Sequence, residues 1–423
     1  MSIKTGILVA IGVIAAAIGL SALGHRVADE RRQDRLDQFY AAPAGYEQAE
    51  PGTLLRVEAL PSADVEGATA YRILFRTVRQ DGSPAVSGGI AYVPAQPAPT
   101  GGRPVLAWAH GTIGLGRGCA PSRRADPVGK PGREWIPLAA RLGFAVVAPD
   151  YAGLGTTGPP QYLLGRSEAH DVVNAVRALD DVPAADPGRS WSVMGHSQGG
   201  HAALWTAQLA EELMPDRDLV GVAAISPAAD LVRIIEAQWA SGIGWAVGAE
   251  VYASWPAVTP DIDYDRLVSA AGRRWYQPVA DACLGEGVPA PAIAGLAAAA
   301  LGVPFFDENP VADPQLYEVA AAQTPQPPPN GLPLLVLQGT GDTVIPPDTN
   351  AALQVEWCAA GSDLSMVWLG GVGHIQALAV GAVTAVPWLF GRFSEPAPTP
   401  SCAWPPPVGQ PIGLLADVGE VID

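Results

Sequence analysis

The sequence predicts an α/β fold with a mostly parallel central sheet and an inserted helical cap. Three observations carry that reading. Short apolar runs at 105–109, 144–148, 191–194, 219–225, 334–337 and 364–369 read as buried strands, and helical stretches separate most of them. About a hundred residues lie between the strand ending near Ser226 and the one starting at Pro333, far beyond a crossover of a dozen or so. Finally, Gly195-His196-Ser197-Gln198-Gly199-Gly200 joins a strand-like run to a helix-like one (201–210), the strand–turn–helix context in which a serine becomes exposed and strained.

Taken from the N-terminus, Lys4 precedes an apolar run from Gly6 to Leu23 that carries no charge. About 18 residues at 1.5 Å rise span about 27 Å, close to a bilayer's hydrocarbon core. Residues 1–24 therefore read as a signal peptide or an uncleaved membrane anchor, with Ala22-Leu23-Gly24 a usable small-x-small cleavage site. Residues 26–35 read as a charged spacer. The α/β core is expected over 39–230 and 331–394, opening with an antiparallel hairpin at 71–78 and 88–93. Asp150 ends one strand before a glycine-rich turn and is expected to order that loop. Residues 231–330 form the expected cap, with alanine-rich helical stretches at 231–251 and 290–301. Trp239, Trp245, Trp255, Trp275, Phe305 and Phe306 are available there to line an acyl-chain channel or simply to pack the cap. Residues 325–329 mark the return linker, and 395–423 form a proline-rich tail with little helix potential.

The chemistry follows from what a serine alcohol lacks. It is a poor nucleophile without a base, usually histidine. Of six histidines, His25 adjoins the N-terminal apolar run, His170 sits in a helix-like stretch, and His201 is one turn into the helix after Ser197. His196 neighbours the nucleophile but is expected on the other side of the turn, and His110 belongs to a different loop. His374 remains, in a glycine-rich loop after the run 364–369. The acid that orients it is expected at Asp342, delivered by a buried run (333–337) and the turn Gly339-Thr340-Gly341. Asp348 and Asp363 are weaker alternatives because neither directly follows an apolar run. The order Ser197, Asp342, His374 is the nucleophile–acid–base order of an α/β-hydrolase. The oxyanion donors are expected to be the backbone N–H of Gln198 and one from His110-Gly111-Thr112. Gly111 would permit the conformation that turns an N–H inward, and Thr112 could add a hydroxyl.

A formal net charge of −17 argues against a nucleic-acid partner and against adhesion to anionic lipid by charge. No cofactor and no metal is expected. The four cysteines, Cys119, Cys283, Cys358 and Cys402, lack metal-ligand spacing; in an exported chain they suggest two disulfides, with three connectivities open.

From roughly Tyr71 to Cys402 the chain resembles the secretory lipase family, the lipase A type of α/β-hydrolase. The resemblance rests on Trp108-Ala109-His110-Gly111-Thr112, Cys119-Ala120-Pro121-Ser122, Asp150-Tyr151-Ala152-Gly153-Leu154-Gly155, the segment 195–200, Gly341-Asp342 and Gly373-His374. It implies the same three triad positions and pairs Cys119 with Cys283 and Cys358 with Cys402. Some family members carry an acidic side chain at the second oxyanion donor, where this chain has Gly111-Thr112. The implied activity is secreted or cell-envelope hydrolysis of small-molecule or lipid esters, a lipase acting through an acyl-enzyme. A short-chain carboxylesterase, an acyltransferase and, further off, a serine peptidase share the same triad. Chain length, physiological ester and oligomeric state are not readable from the sequence.

Overall fold

The computed structural model describes residues 28–284, 298–328, 331–394 and 400–408. The expected signal peptide or anchor (1–24), most of the helical stretch at 290–301 and most of the proline-rich tail lie outside these residues.

The chain divides into two units, 1–41 and 42–423. In the first, residues 28–40 form a helix, α1, with an Asp29–Arg32 ion pair one turn apart. The charged spacer expected at 26–35 is thus largely helical, because its charges are spaced to pair along a helix.

In the second unit nine strands form one sheet in the order β1-β2-β3-β5-β4-β6-β7-β8-β9. They are β1 (Leu54–Ala59), β2 (Ala68–Val78), β3 (Pro84–Pro94), β4 (Arg103–Ala109), β5 (Ala145–Pro149), β6 (Pro187–His196), β7 (Asp218–Ile225), β8 (Leu334–Gly339) and β9 (Leu364–Leu369). The pairs β1/β2, β2/β3 and β3/β5 are antiparallel, and β4 to β9 run parallel. Alternation sorts side chains to two buried layers: Val105 and Ala107 of β4 join one hydrophobic cluster, Leu106 the other. The first layer takes in α3 (Gly165–Ala178) and α4 (Gln198–Leu213), the second α2 (Gly129–Arg141) and the C-terminal helix His374–Gly391. That last helix is long and apolar enough to cross a bilayer, yet its buried face packs on β7, β8 and α2.

β1 was not legible in the sequence. Its residues LLRVEA are half-buried to exposed along an edge, so no buried run marks them.

Between β7 and β8 the described residues are mainly helical: α5 (Leu231–Gln238), α6 (Gly242–Ser254), α7 (Ala270–Ala280) and α8 (Pro314–Ala322). The stretch expected to run unbroken from 231 to 251 divides at Ser241, whose Oγ accepts from the N–H groups of Ile243 and Gly244 and so starts a new helix. This insertion has its own core, with Trp245, Trp255 and Phe305 fully buried, and the cluster extends to Tyr162, Leu163 and Leu164 of the loop after β5. Helices α9 (Pro347–Ala359) and α10 (His374–Gly391) complete the architecture.

Candidate active site

Ser197 stands between the end of β6 and the first residue of α4, with φ 58° and ψ −118°. An L-residue held there stores about 1–3 kcal/mol of strain. Neighbouring backbone fixes it: Ser197 N–H donates to Ile225 O at 2.9 Å, and its carbonyl accepts from His201 N–H at 3.0 Å. The flanking glycines are required by close approach. A Cβ on Gly195 would lie 1.9 Å from Gly199 O, and one on Gly199 would lie 1.9 Å from Ala109 O. The turn therefore seats directly on the end of β4, where the His110-Gly111-Thr112 loop begins.

Asp342 follows β8 and is 4% exposed. Its Oδ2 accepts from His374 Nδ1 at 2.7 Å, and its Oδ1 accepts from the N–H groups of Val344 and Ile345, both at 2.9 Å. Burial pushes this carboxyl up, but the His374 hydrogen bond and the two amides outweigh it, and the pKa lies below the usual value. An ionised carboxylate only accepts, so the His374 proton sits on Nδ1 and leaves the Nε2 lone pair available. Asp348 is exposed and Asp363 half-buried; the hydrogen bond of His374 Nδ1 goes to Asp342.

Two details differ from the sequence reading. His374 is the first residue of α10, with Gly373 as its N-cap, and not a loop residue. The glycine turn ends one position earlier, and the apolar helix that follows holds the imidazole in place. His196 does not point away: its ring lies 4.6 Å from that of His374, and its Nε2 donates to the His374 carbonyl at 3.1 Å. Burial, then the nearby His374 charge, pushes the His196 pKa down to about 3. It is neutral at working pH and braces the residue beside Asp342.

Gly111 does not use a left-handed conformation. Its need is space, since a Cβ there would lie 3.0 Å from His196 O and 3.4 Å from Ser197 Cβ. Thr112 Oγ1 is 2.8 Å from Tyr162 Oη, so its hydroxyl is engaged. His110 faces backbone carbonyls through both ring nitrogens, Gly111 O at 2.7 Å and Asp150 O at 3.2 Å, and burial lowers its pKa. It buttresses the loop. Asp150 takes the Ser122 N–H and hydroxyl, a loop-ordering role.

Gln198 begins α4, where helix N–H groups gather beside Ser197. Its side chain donates to Glu168 Oε1 at 2.9 Å. Glu168 is wholly buried, and also accepts from Leu163 N–H at 3.1 Å and pairs with His201 Nδ1 at 2.6 Å; His201 Nε2 reaches Gln323 O at 2.7 Å. His201 is thus more than a packing residue. Sequence reasoning missed this cluster, because a glutamate in a helix beside Arg166 and His170 reads as a solvated face. His170 is half-buried, and His25 lies outside the described residues.

Cys119 is bonded to Cys283 and Cys358 to Cys402, with Cα separations of 5.0 Å and 5.4 Å. The second bond holds residues 400–408 against β9, where Ser401 Oγ accepts from Met366 N–H at 3.0 Å. Within the insertion an apolar pocket is lined by Ile234, Trp239, Val247, Trp255, Phe306 and neighbours. Trp245 and Phe305 instead pack on each other at 5.3 Å, and Trp275 lies beneath the Arg274 guanidinium at 4.9 Å.

Comparison with known proteins agrees with this architecture. The profile of the secretory lipases matches residues 135–400. A Mycobacterium tuberculosis protein named a probable inactive lipase is 28% identical over 391 residues, covering 85% of this chain and 82% of its own. Lipase 6 of Candida albicans is 23% identical, covering 87% and 83%. The closed-state structure of Candida antarctica lipase A superposes with TM-score 0.71 at 17% identity, covering 87% of this chain and 88% of its own, a likeness of fold. The chain belongs to the secretory lipase family, carboxylic-ester hydrolases of the α/β-hydrolase fold.

Proposed function

We propose that this chain hydrolyses acyl esters through Ser197, His374 and Asp342. His374 Nε2 takes the Ser197 proton as Oγ attacks the ester carbonyl. The tetrahedral oxyanion is held by the N–H of Gln198 and by the Gly111–Thr112 loop. His374 then protonates the leaving alcohol, and water hydrolyses the acyl-enzyme by the same steps. The observation that carries this reading is the 2.7 Å bond from His374 Nδ1 to Asp342, on a ring whose centroid lies 4.6 Å from that of His196, the residue preceding Ser197. One relative is named a probable inactive lipase, so catalytic competence rests on this chain's own residues, and each required group is present.

The residues between β7 and β8 act as a cap, with 39–230 and 331–394 as the catalytic core. The apolar cavity walled by Trp239, Trp255 and Phe306 favours an acyl chain over a peptide. Two disulfides and a secretory family match place the protein in an oxidising, extracellular setting.

Ser197→Ala tests the assignment. It should abolish burst release from a p-nitrophenyl ester while leaving the fold intact, and retained activity would refute it. A chain-length series of p-nitrophenyl esters separates lipase from short-chain carboxylesterase. Products formed with added alcohol separate hydrolase from acyltransferase.

A further inference from the structure

Glu168 stands near the start of α3, wholly buried, and no step of the proposed reaction uses it. Its two oxygens hold three elements together. Oε2 meets His201 Nδ1 at 2.6 Å, while Oε1 accepts from Gln198 Nε2 at 2.9 Å and from Leu163 N–H at 3.1 Å. Gln198 and His201 lie one turn apart on the same face at the start of α4. A carboxyl group bonded to both fixes how that turn is rotated about its axis, and with it the aim of the Gln198 backbone N–H.

The third bond reaches the other oxyanion arm. Leu163 holds φ 51°, a strained conformation for a residue other than glycine, and its N–H is spent on Glu168. Its neighbour Tyr162 places Oη 2.8 Å from Thr112 Oγ1, and the Tyr162 carbonyl accepts from Trp255 Nε1 of the insertion at 3.1 Å. One buried carboxyl therefore ties the turn carrying Gln198 to the segment that braces the Gly111–Thr112 loop.

The cluster is closed on its far side. Gln323, the C-cap of α8, accepts through its carbonyl from His201 Nε2 at 2.7 Å and from Trp205 Nε1 at 2.9 Å, and its Oε1 accepts from Gly165 N–H at 3.0 Å. A carbonyl only accepts, so His201 carries a proton on Nε2, and the 2.6 Å contact with Glu168 satisfies Nδ1. A buried network satisfied in this way rigidifies the elements it joins.

We propose that Glu168 is a positioning residue for both oxyanion arms: it holds the Gln198 N–H and the Gly111–Thr112 loop at the spacing a tetrahedral intermediate requires. This rests on the ester-hydrolase reading above. Such a residue serves the transition state and not the bound ester, so its loss lowers kcat and leaves KM nearly unchanged.

The test measures p-nitrophenyl butyrate turnover per active site titrated with a fluorophosphonate, so that inactive protein does not count. Glu168→Met strands the Gln198 amide, Leu163 N–H and His201 Nδ1, and should lower kcat about 100-fold with KM within about 3-fold of wild type. The inhibition constant of an arylboronic acid, whose tetrahedral adduct sets an oxygen on the same donors, should rise in step. Glu168→Gln should bring both back to within about 5-fold of wild type, because its oxygen takes the Leu163 and Gln198 donors and its NH2 donates to His201 Nδ1. Gln198→Met keeps the backbone N–H and removes one bond to Glu168; it should lower kcat at least about 10-fold, and it alone decides if Glu168→Met fails to fold. A merely structural glutamate would lower the melting temperature and the titratable fraction, with kcat per site and boronate affinity unchanged. That result in Glu168→Met overturns the proposal, as does an unchanged kcat in Gln198→Met or a Glu168→Gln as impaired as Glu168→Met. Wild type that hydrolyses no ester and resists the fluorophosphonate would overturn the ester-hydrolase reading itself, a distinct result.

Discussion

Replacing Asp342 by Asn changes one atom and should disable the base. The Asp342 carboxylate divides its two oxygens: Oδ1 takes the N–H groups of Val344 and Ile345, and Oδ2 takes His374 Nδ1–H. An Asn side chain has one oxygen, and two fixed backbone donors at 2.9 Å hold it more firmly than the imidazole and the Gln338 amide, which donates to Oδ2 at a long 3.4 Å. The amide oxygen therefore stays on Val344 and Ile345, and the NH2 faces His374. Against a donor, Nδ1 must become the acceptor, so the proton moves to Nε2 and the lone pair needed for Ser197 disappears. A wrong tautomer in such a triad costs about 10⁴-fold in kcat, equivalent to about 5 kcal/mol of transition-state stabilisation. KM should change little, because Asp342 lies behind the histidine. Stopped-flow acylation with a p-nitrophenyl ester measures the loss, and thermal melting checks that both amides remain satisfied. A fall of less than about 10-fold in a folded variant would refute the tautomer argument.

Three further outcomes follow from the geometry. Gly199→Ala places a Cβ 1.9 Å from Ala109 O, a backbone atom that cannot rotate away; it should lower stability by at least about 3 kcal/mol and abolish activity, read by denaturant unfolding and ester turnover. Removing the Cys119–Cys283 bond, with a sequence separation of 164, should cost up to about 5 kcal/mol, and removing Cys358–Cys402, with a separation of 44, up to about 4 kcal/mol. Double-serine variants measure both, and the reverse ranking would show that loop closure does not govern the effect. Burial raises Asp150 to about 6 and Asp171 to about 7, from a usual 3.8. A raised acid favours the folded state most below the unfolded pKa and loses that contribution as pH rises through the folded one, here between about pH 4 and pH 7. Buried histidines with lowered pKa values act in the opposite sense, so the Asp171 contribution is isolated by Asp171→Asn. The variant should gain stability relative to wild type across that window, by at most about 4 kcal/mol, and a flat difference in melting temperature would contradict the assignment.

The triad candidates were legible because each sits at the end of an apolar strand followed by a turn, and strand ends are read from local composition. Ser197 needed only Gly195 and Gly199, and Asp342 only the buried run before it. The loop at Gly111, proposed as an oxyanion donor, was singled out for the same reason, and its glycine serves close approach. Glu168 was invisible. It is a carboxyl on a helix, and helical carboxyls are ordinarily solvated; only the packing of α3 under the turn buries it.

By itself, then, the sequence determined the strand–turn–helix punctuation, the chain order of Ser197, Asp342 and His374, and the length of the insertion. These depend on neighbours a few residues apart. Tertiary structure alone decided that His196 braces His374, that His201 pairs with Glu168, and that the Gln198 side chain reaches the same Glu168. Those contacts join residues 30 to 178 positions apart, and local composition carries no signal for partners that distant.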